Sequence, residues 1–285
     1  MKLTVGYLAT PSGDDGVALA AVLASALDAS IDIVIVIRSD EPVMEGSGPY
    51  RKVLTAQAEQ WLAAARSLVP GDFDVTTHIA EHESFAQGLM EFAAEHDADM
   101  IVVGGAGDGL LNRHTVGTVA AQLLHASPVP LALAPRGYRD RAGRALSCLT
   151  AAVPTRAGAA DPSALAIAIA SAAHVPLRLV SLVSLEDGGF DSDGPSLETR
   201  RRYVAAAEAN LENATRRLPD IEGLESVVAD GSSLDEAVAS LQWSDGDILF
   251  LGSSRLAAPK RVFLGSSAAK ILRATPAPVV VVPHE

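Results

Sequence analysis

The chain has 285 residues, enough for two domains of ordinary size, and a formal charge of −13 that speaks against a nucleic-acid binder, whose affinity comes from Lys and Arg on phosphates. Apolar residues make up 48% and aromatics only 4%, so Ala, Val and Leu must build the core, which suits helices on a parallel sheet better than an all-β sandwich. The single cysteine, Cys148, excludes an intramolecular disulfide; with no basic-apolar leader and no apolar run near the ~20 residues of a membrane span, a cytoplasmic protein is expected.

Leu3–Leu8 is an apolar run of strand length. Ser12, with Asp15 three residues on, reads as the cap of a helix over Val17–Leu27. Ile31–Ile37, apolar on both faces, predicts a strand of a parallel sheet covered on both sides. Arg38–Pro49 holds Pro, Gly, Ser and acids and reads as a loop. Val53, Trp61, Leu62, Ala65, Leu68 and Val69 then recur at helical spacing. Phe73–Ile79 alternates as a third strand, and Ser84-Phe-Ala-Gln87 is a capping box opening a helix to Glu95. Met100–Val103 reads as the fourth strand. The glycine-bearing stretch Gly104–Thr118, a helix over Val119–Ala126 and a last strand, Leu131–Ala134, follow.

From Pro135 the pattern starts again. Gly104 and Gly252, Gly117 and Gly265, Pro128 and Pro276, Pro130 and Pro278, and Pro135 and Pro283 are each 148 apart, as are Asp99 and Asp247, and Arg113 and Arg261. Such agreement at residues that fix backbone geometry marks a duplication. Leu3 and Pro11 match Leu146 and Pro154 at 143, and Glu59 and Leu62 match Glu208 and Leu211 at 149. Asp161-Pro162 reads as an N-cap followed by a first-turn proline, and Ser233-Leu-Asp-Glu236 as a second capping box. Two domains are expected, 1–138 and 143–285, joined by an Arg-rich, solvated connector, Arg136–Arg144. Each half reads β-α-β-α-β-α-β-α-β. Right-handed crossovers make of it an α/β, doubly wound sheet of five parallel strands with helices on both faces. Ligands of such sheets bind where the strand order reverses, here between the ends of the strands at Leu8 and Val103.

The spacing Gly104-x2-Gly107-x9-Gly117-Thr118 between strand and helix, repeated in register as Gly252–Ser266, resembles the nucleotide-binding pattern G-x2-G-x9-G-[S/T] of the universal stress protein family. The order of elements and the Ser-Pro-Val-Pro turn before the last strand are similar too, and the resemblance covers the chain twice. It implies two Rossmann-like domains of the adenine nucleotide alpha hydrolase type and a regulator that binds ATP, with or without Mg²⁺. Gly104 and Gly107 would let the backbone approach ribose and phosphates. Gly117, Thr118 and Val119 would open a helix toward the phosphates, and Ile37 would hold adenine by its backbone. The second-half counterparts are Gly252, Gly265, Ser266 and Ser267. The family's last strands pair between subunits, which implies a homodimer or a pairing of Leu131–Ala134 with Val279–Val282 inside one chain. ATP is then expected to shift the 104–118 and 38–50 loops between states that an unidentified regulatory partner reads.

The chain departs from the pattern in places. The family's acidic position after the first strand falls on Leu8 and, at the 143 offset, on Ala151; Asp108 follows the second glycine, and Arg255 replaces it in the second half. Two alternatives therefore stand beside the sensor: a nucleotide-free interaction module and a weak ATPase. No Walker-type GK[ST] follows the glycines. His78 and His82 read as solvated loop histidines before a metal pair. His114 either donates to a phosphate or is simply exposed, Cys148 reads as an inert buried thiol, and Glu186–Asp193 as an acidic loop.

Overall fold

The computed structural model describes residues 1–39, 48–105, 114, 116–141, 145–154, 158–185, 197–218, 221 and 223–284. Gly107, Asp108, Arg113, the stretch Glu186–Asp193 and most of Arg38–Pro49 lie outside them. The chain divides into two units, Met1–Ala145 and Leu146–Glu285.

The first unit runs β1 (Lys2–Gly6), α1 (Pro11–Leu27), β2 (Ser30–Ile37), α2 (Gly48–Ser67), β3 (Val75–Glu81), α3 (Phe85–Glu95), β4 (Met100–Gly104), α4 (Thr118–Ala126) and β5 (Leu131–Ala134). Its strands lie in the order β3-β2-β1-β4-β5, each neighbouring pair parallel. The second unit repeats this with β6 (Cys148–Ala152), α5 (Ser163–Ala173), β7 (Leu177–Ser184), α6 (Leu197–Thr215), β8 (Leu224–Gly231), α7 (Leu234–Ser240), β9 (Asp247–Gly252), α8 (Ser266–Ala274) and β10 (Val279–Val282). Its order is β8-β7-β6-β9-β10, again parallel. The expected pair of doubly wound sheets is what forms. Ile31 through Val36 are buried without a break, as are all four residues of β5, because helices cover both faces. Asp99 and Asp247 share a task at the start of β4 and β9. Asp99 Oδ2 accepts from Lys2 N at 2.8 Å, and Asp247 Oδ1 from Ser147 Oγ at 2.8 Å.

Three local expectations are corrected. Helix α1 starts at Pro11, and its cap is Thr10, whose Oγ1 accepts from Gly13 N at 3.3 Å. Ser12 instead donates its hydroxyl to Gly105 O, and Asp15 turns inward. The β1–β6 offset is 146, not 143: Leu3 faces Ile31 and Met100 as Leu149 faces Leu177 and Ile248. On that register the counterpart of Leu8 is Pro154, while Ala151 is buried mid-strand. Finally, the start of the connector is not solvated. Tyr138–Arg141 forms a 3-10 turn packed on α1, with Tyr138 buried. Asp15, 1% exposed, accepts from Gly137 N and Arg139 N at 2.9 Å each and from Arg139 Nη1 at 3.1 Å.

The caps of α3 and α7 hold: Ser84 Oγ accepts from Gln87 N and Ser233 Oγ from Glu236 N. At α5 the helix opens one residue later than expected, at Ser163 with Pro162 as its N-cap, and Asp161 Oδ1 accepts from Ser163 N at 2.9 Å from just outside it.

Candidate functional site

At the carboxyl ends of β1 and β4, where the strand order of the first unit reverses, lies a cavity of about 80 Å³. The turn after β1 supplies Tyr7, Leu8 and Thr10, the start of α1 supplies Ser12 and Gly13, β2 supplies Val34 and Val36, and α3 supplies Phe85 and Leu89. Val103 and Gly104 close it from β4, and Val119 and Ala120 from the first turn of α4.

Of the residues expected at a site, the fold brings Gly104 and Val119 to this lining. Gly104 has a reason of its own to lack a side chain, since a Cβ there would overlap the Ser12 carbonyl. Gly252 repeats the situation against the Ala160 carbonyl, so both glycines are required where a strand end meets the start of the unit's first helix. Gly117 caps α4 in an extended conformation (φ −75°, ψ 171°) with no side-chain cap bond, and Thr118 is exposed beside it. Neither lines the cavity. Ile37 does not line it either; its carbonyl accepts from His82 N at 3.1 Å in the connection after β3.

In the second unit Gly265 likewise caps α8 without a side-chain bond, and Ser266 and Ser267 are exposed in its first turn. The preceding loop is closed on itself. Ser254 N donates to Phe263 O, Phe263 N to Ser253 Oγ, and Lys260 N to His284 O, while Val262 and Leu264 are buried. Arg255 is exposed, and Lys260 takes a left-handed φ of 54°.

One carboxylate that sequence reasoning passed over does reach the lining. Tyr7 OH donates to Asp14 Oδ1 at 3.2 Å, and burial first, then the Asp14 charge, pushes the phenol up to about 12. Its only signal in the sequence is an acid in a helix's first turn, where the dipole favours it.

A model of the Universal stress protein family matches residues 1–135 and again 152–283. The chain belongs to the universal stress protein family. It is 31% identical to universal stress proteins of Mycobacterium tuberculosis and Mycobacterium bovis, over alignments that cover 99% of this chain and 100% of each relative. A solved universal stress protein from Archaeoglobus fulgidus is similar at a TM-score of 0.66 and 14% identity, with 99% of this chain and 98% of that one covered. A functionally unknown Pseudomonas aeruginosa protein gives 0.58 at 16% identity, covering 99% of this chain and 92% of its own. At such identities the solved structures speak for the fold alone.

Several side chains of this universal stress protein sit differently from their expected places. His78 lies within β3, its Nε2 3.0 Å from Asp32 Oδ1 and its ring against Phe92 and His96. His82 Nδ1 accepts from Ser84 N at 2.9 Å, so it serves the start of α3. Neither is a solvated loop histidine, and no group of three metal-ligating side chains forms among the described residues. His114 is buried, at the position of the buried Val262 in the second unit. Cys148 opens β6 half-buried, its thiol pushed up by burial and then by Asp247. No helix among the described residues is long and apolar enough to cross a membrane.

Proposed function

We propose that this universal stress protein binds an adenine nucleotide, ATP with or without Mg²⁺, in its first unit, and that occupancy is read as a signal without turnover. The observation that carries the reading is the cavity where the winding reverses, walled on one side by the first turn of α4. No side chain caps that helix, so its first-turn N–H groups suit phosphate oxygens. One helix terminus contributes only ~0.3–1 kcal/mol to an anion, ~2 when partly buried. Micromolar affinity requires ~8 kcal/mol, so burial of the base must contribute along with further N–H donors. The second unit ranks behind the first, because its glycine loop already joins its own donors and acceptors.

In this reading Gly117, Thr118 and Val119 meet phosphates, and Gly104 and Gly107 lie along the nucleotide. Ile37 enters only through backbone groups beyond its bonded carbonyl, and Gly252, Gly265, Ser266 and Ser267 form a weaker counterpart. Nucleotide binding favours one of two loop states in the cytoplasm, and a regulatory protein distinguishes them. Association through Leu131–Ala134 and Val279–Val282, as homodimer or within one chain, is proposed from their short, apolar, proline-framed sequences. A nucleotide-free interaction module is favoured by one observation alone, that Gly104 is required by packing whether or not a ligand is present.

Calorimetry of the full chain with millimolar Mg-ATP decides. Heat of binding that disappears in Gly117→Val and survives in Gly265→Val is expected, along with a nucleotide released on denaturing freshly purified protein. Absence of both leaves the interaction module. ADP production that persists through purification and vanishes in Gly117→Val replaces the sensor with an ATPase.

A further inference from the structure

We infer that the β9–α8 loop of the second unit is a docking surface for an acidic protein segment that carries an apolar side chain. The inference stands apart from the nucleotide reading and names the chemistry of a partner. The chain has a formal charge of −13, yet from Gly252 to His284 it holds five Lys or Arg and no Asp or Glu. Three of the five, Arg255, Lys260 and Arg261, fall in one short loop, and all three are exposed. Leu256 stands among them at 75% exposure, the highest of the large hydrophobic residues described. At the offset of 148 the first unit has Gly107, Asp108 and Asn112 where the second has Arg255, Leu256 and Lys260. Both units share one strand order, so the fold itself does not demand this basic and apolar set.

The loop holds these side chains in fixed places. Ser254 N donates to Phe263 O and Ala257 N to Ser254 O, both at 2.9 Å, and Arg261 N to Ala258 O at 3.1 Å. The residues after β10 pin the other side, with Lys260 N donating to His284 O and His284 N to Arg261 O. Lys260 takes φ 54°, a conformation that costs a side chain and that glycine adopts freely, so the backbone gains nothing from a lysine there. The start of α8 adjoins, since a Cβ on its cap Gly265 would lie 3.2 Å from the Ser254 Cβ. Its uncapped N–H groups add positive potential to that of the three cations. Charges already in place attract a partner with little ordering cost, and screening over ~8 Å lets them act despite the acidic remainder of the chain. Single-stranded nucleic acid stacks its bases on aromatic side chains, and Arg255–Arg261 holds none. One leucine also offers too little apolar area to insert among lipids. A carboxylate-rich segment with an apolar residue to cover Leu256 fits both features of the patch.

The test follows the fluorescence anisotropy of a short labelled peptide, Glu and Asp around a single Leu, titrated with the full chain at low salt and without nucleotide. Saturable binding that weakens as salt rises is expected. Lys260→Gly suits the backbone and should leave thermal unfolding unchanged while weakening the peptide by ~2–5-fold. Leu256→Ser, at an exposed position, should weaken it by ~10-fold, and so should replacing the peptide's Leu by Ser. The two changes together should cost no more than either alone, as for partners in one contact. No binding, or affinity indifferent to either variant, overturns the inference. Tighter binding of a single-stranded oligonucleotide or of phosphatidylserine vesicles than of the peptide overturns it by giving the patch to another partner. Self-association of the chain that excludes the peptide overturns it as well. With no nucleotide present, each of these outcomes leaves the reading of the first unit's cavity untouched.

Discussion

A carboxylate buried like Asp15 stays in a protein interior only when donors replace the water it has lost. Its donors come from a connector 122 and 124 residues away. Asp15→Ala strands two backbone N–H groups and the Arg139 guanidinium, and urea unfolding should show a loss of about 3 kcal/mol. Arg139→Ala removes a side chain that is 35% exposed, and about 1 kcal/mol is expected. Tyr7 and Tyr138 control the alkaline limit. Burial holds both phenols at about 12 against an ordinary 10.0, so above pH 10 the unfolded chain releases protons that the fold retains. Stability is intact below about pH 10 and falls from there toward pH 12. Tyr138→Phe should flatten that fall in unfolding curves taken across this range. At Cys148 burial and then the Asp247 charge raise the thiol's pKa and keep the thiolate scarce, and alkylation near neutral pH should run slower than for a free cysteine.

Glycines and caps act on whole elements. Because a Cβ at Gly104 meets backbone and not a movable side chain, Gly104→Ala must shift β4 or the start of α1. A cost of ~1–3 kcal/mol in thermal or urea unfolding is expected, and the same for Gly252→Ala. Under the proposed function Gly117→Val should instead lower ligand affinity, and comparing the two variants separates a glycine kept for packing from one proposed for binding. An ion pair is also duplicated, with Arg51–Glu81 joining α2 to β3 and Arg200–Asp230, 149 residues on, joining α6 to β8 at 2.5 Å. Both pairs are largely exposed, so Glu81→Gln should change stability by no more than ~1 kcal/mol. Their recurrence reflects shared geometry more than energy.

For the molecule as a whole, the docked connector sets where the first unit ends. The family match stops at residue 135, yet Gly137, Tyr138 and Arg139 belong physically to α1. A fragment 1–135 leaves Asp15 buried without these donors and should unfold ~3 kcal/mol more readily than a fragment 1–141, as read by urea denaturation. The duplication and its strand order were legible because Gly, Pro and continuous apolar strands are local signals that survive divergence. The connector was not, because Arg136–Arg144 reads as charge while its docking depends on Gly137 and Tyr138 meeting a helix far back in the chain. His78 failed for the same reason, since its partners Asp32, Phe92 and His96 come from β2, α3 and the residue after α3.

The glycine-bearing stretch Gly104–Thr118 divides the two kinds of knowledge. The glycine spacing, its strand-to-helix context and its registered copy carried the resemblance to the family, and the alternation of strands and helices gave the parallel doubly wound halves, because these are local patterns along the chain. Only the tertiary structure decided that Gly104 answers to the Ser12 carbonyl, that Leu8 is matched by Pro154, and that the cavity between β1 and β4 is lined largely by apolar side chains. Those facts depend on which distant atoms come within contact range, and no pattern along the chain encodes that distance.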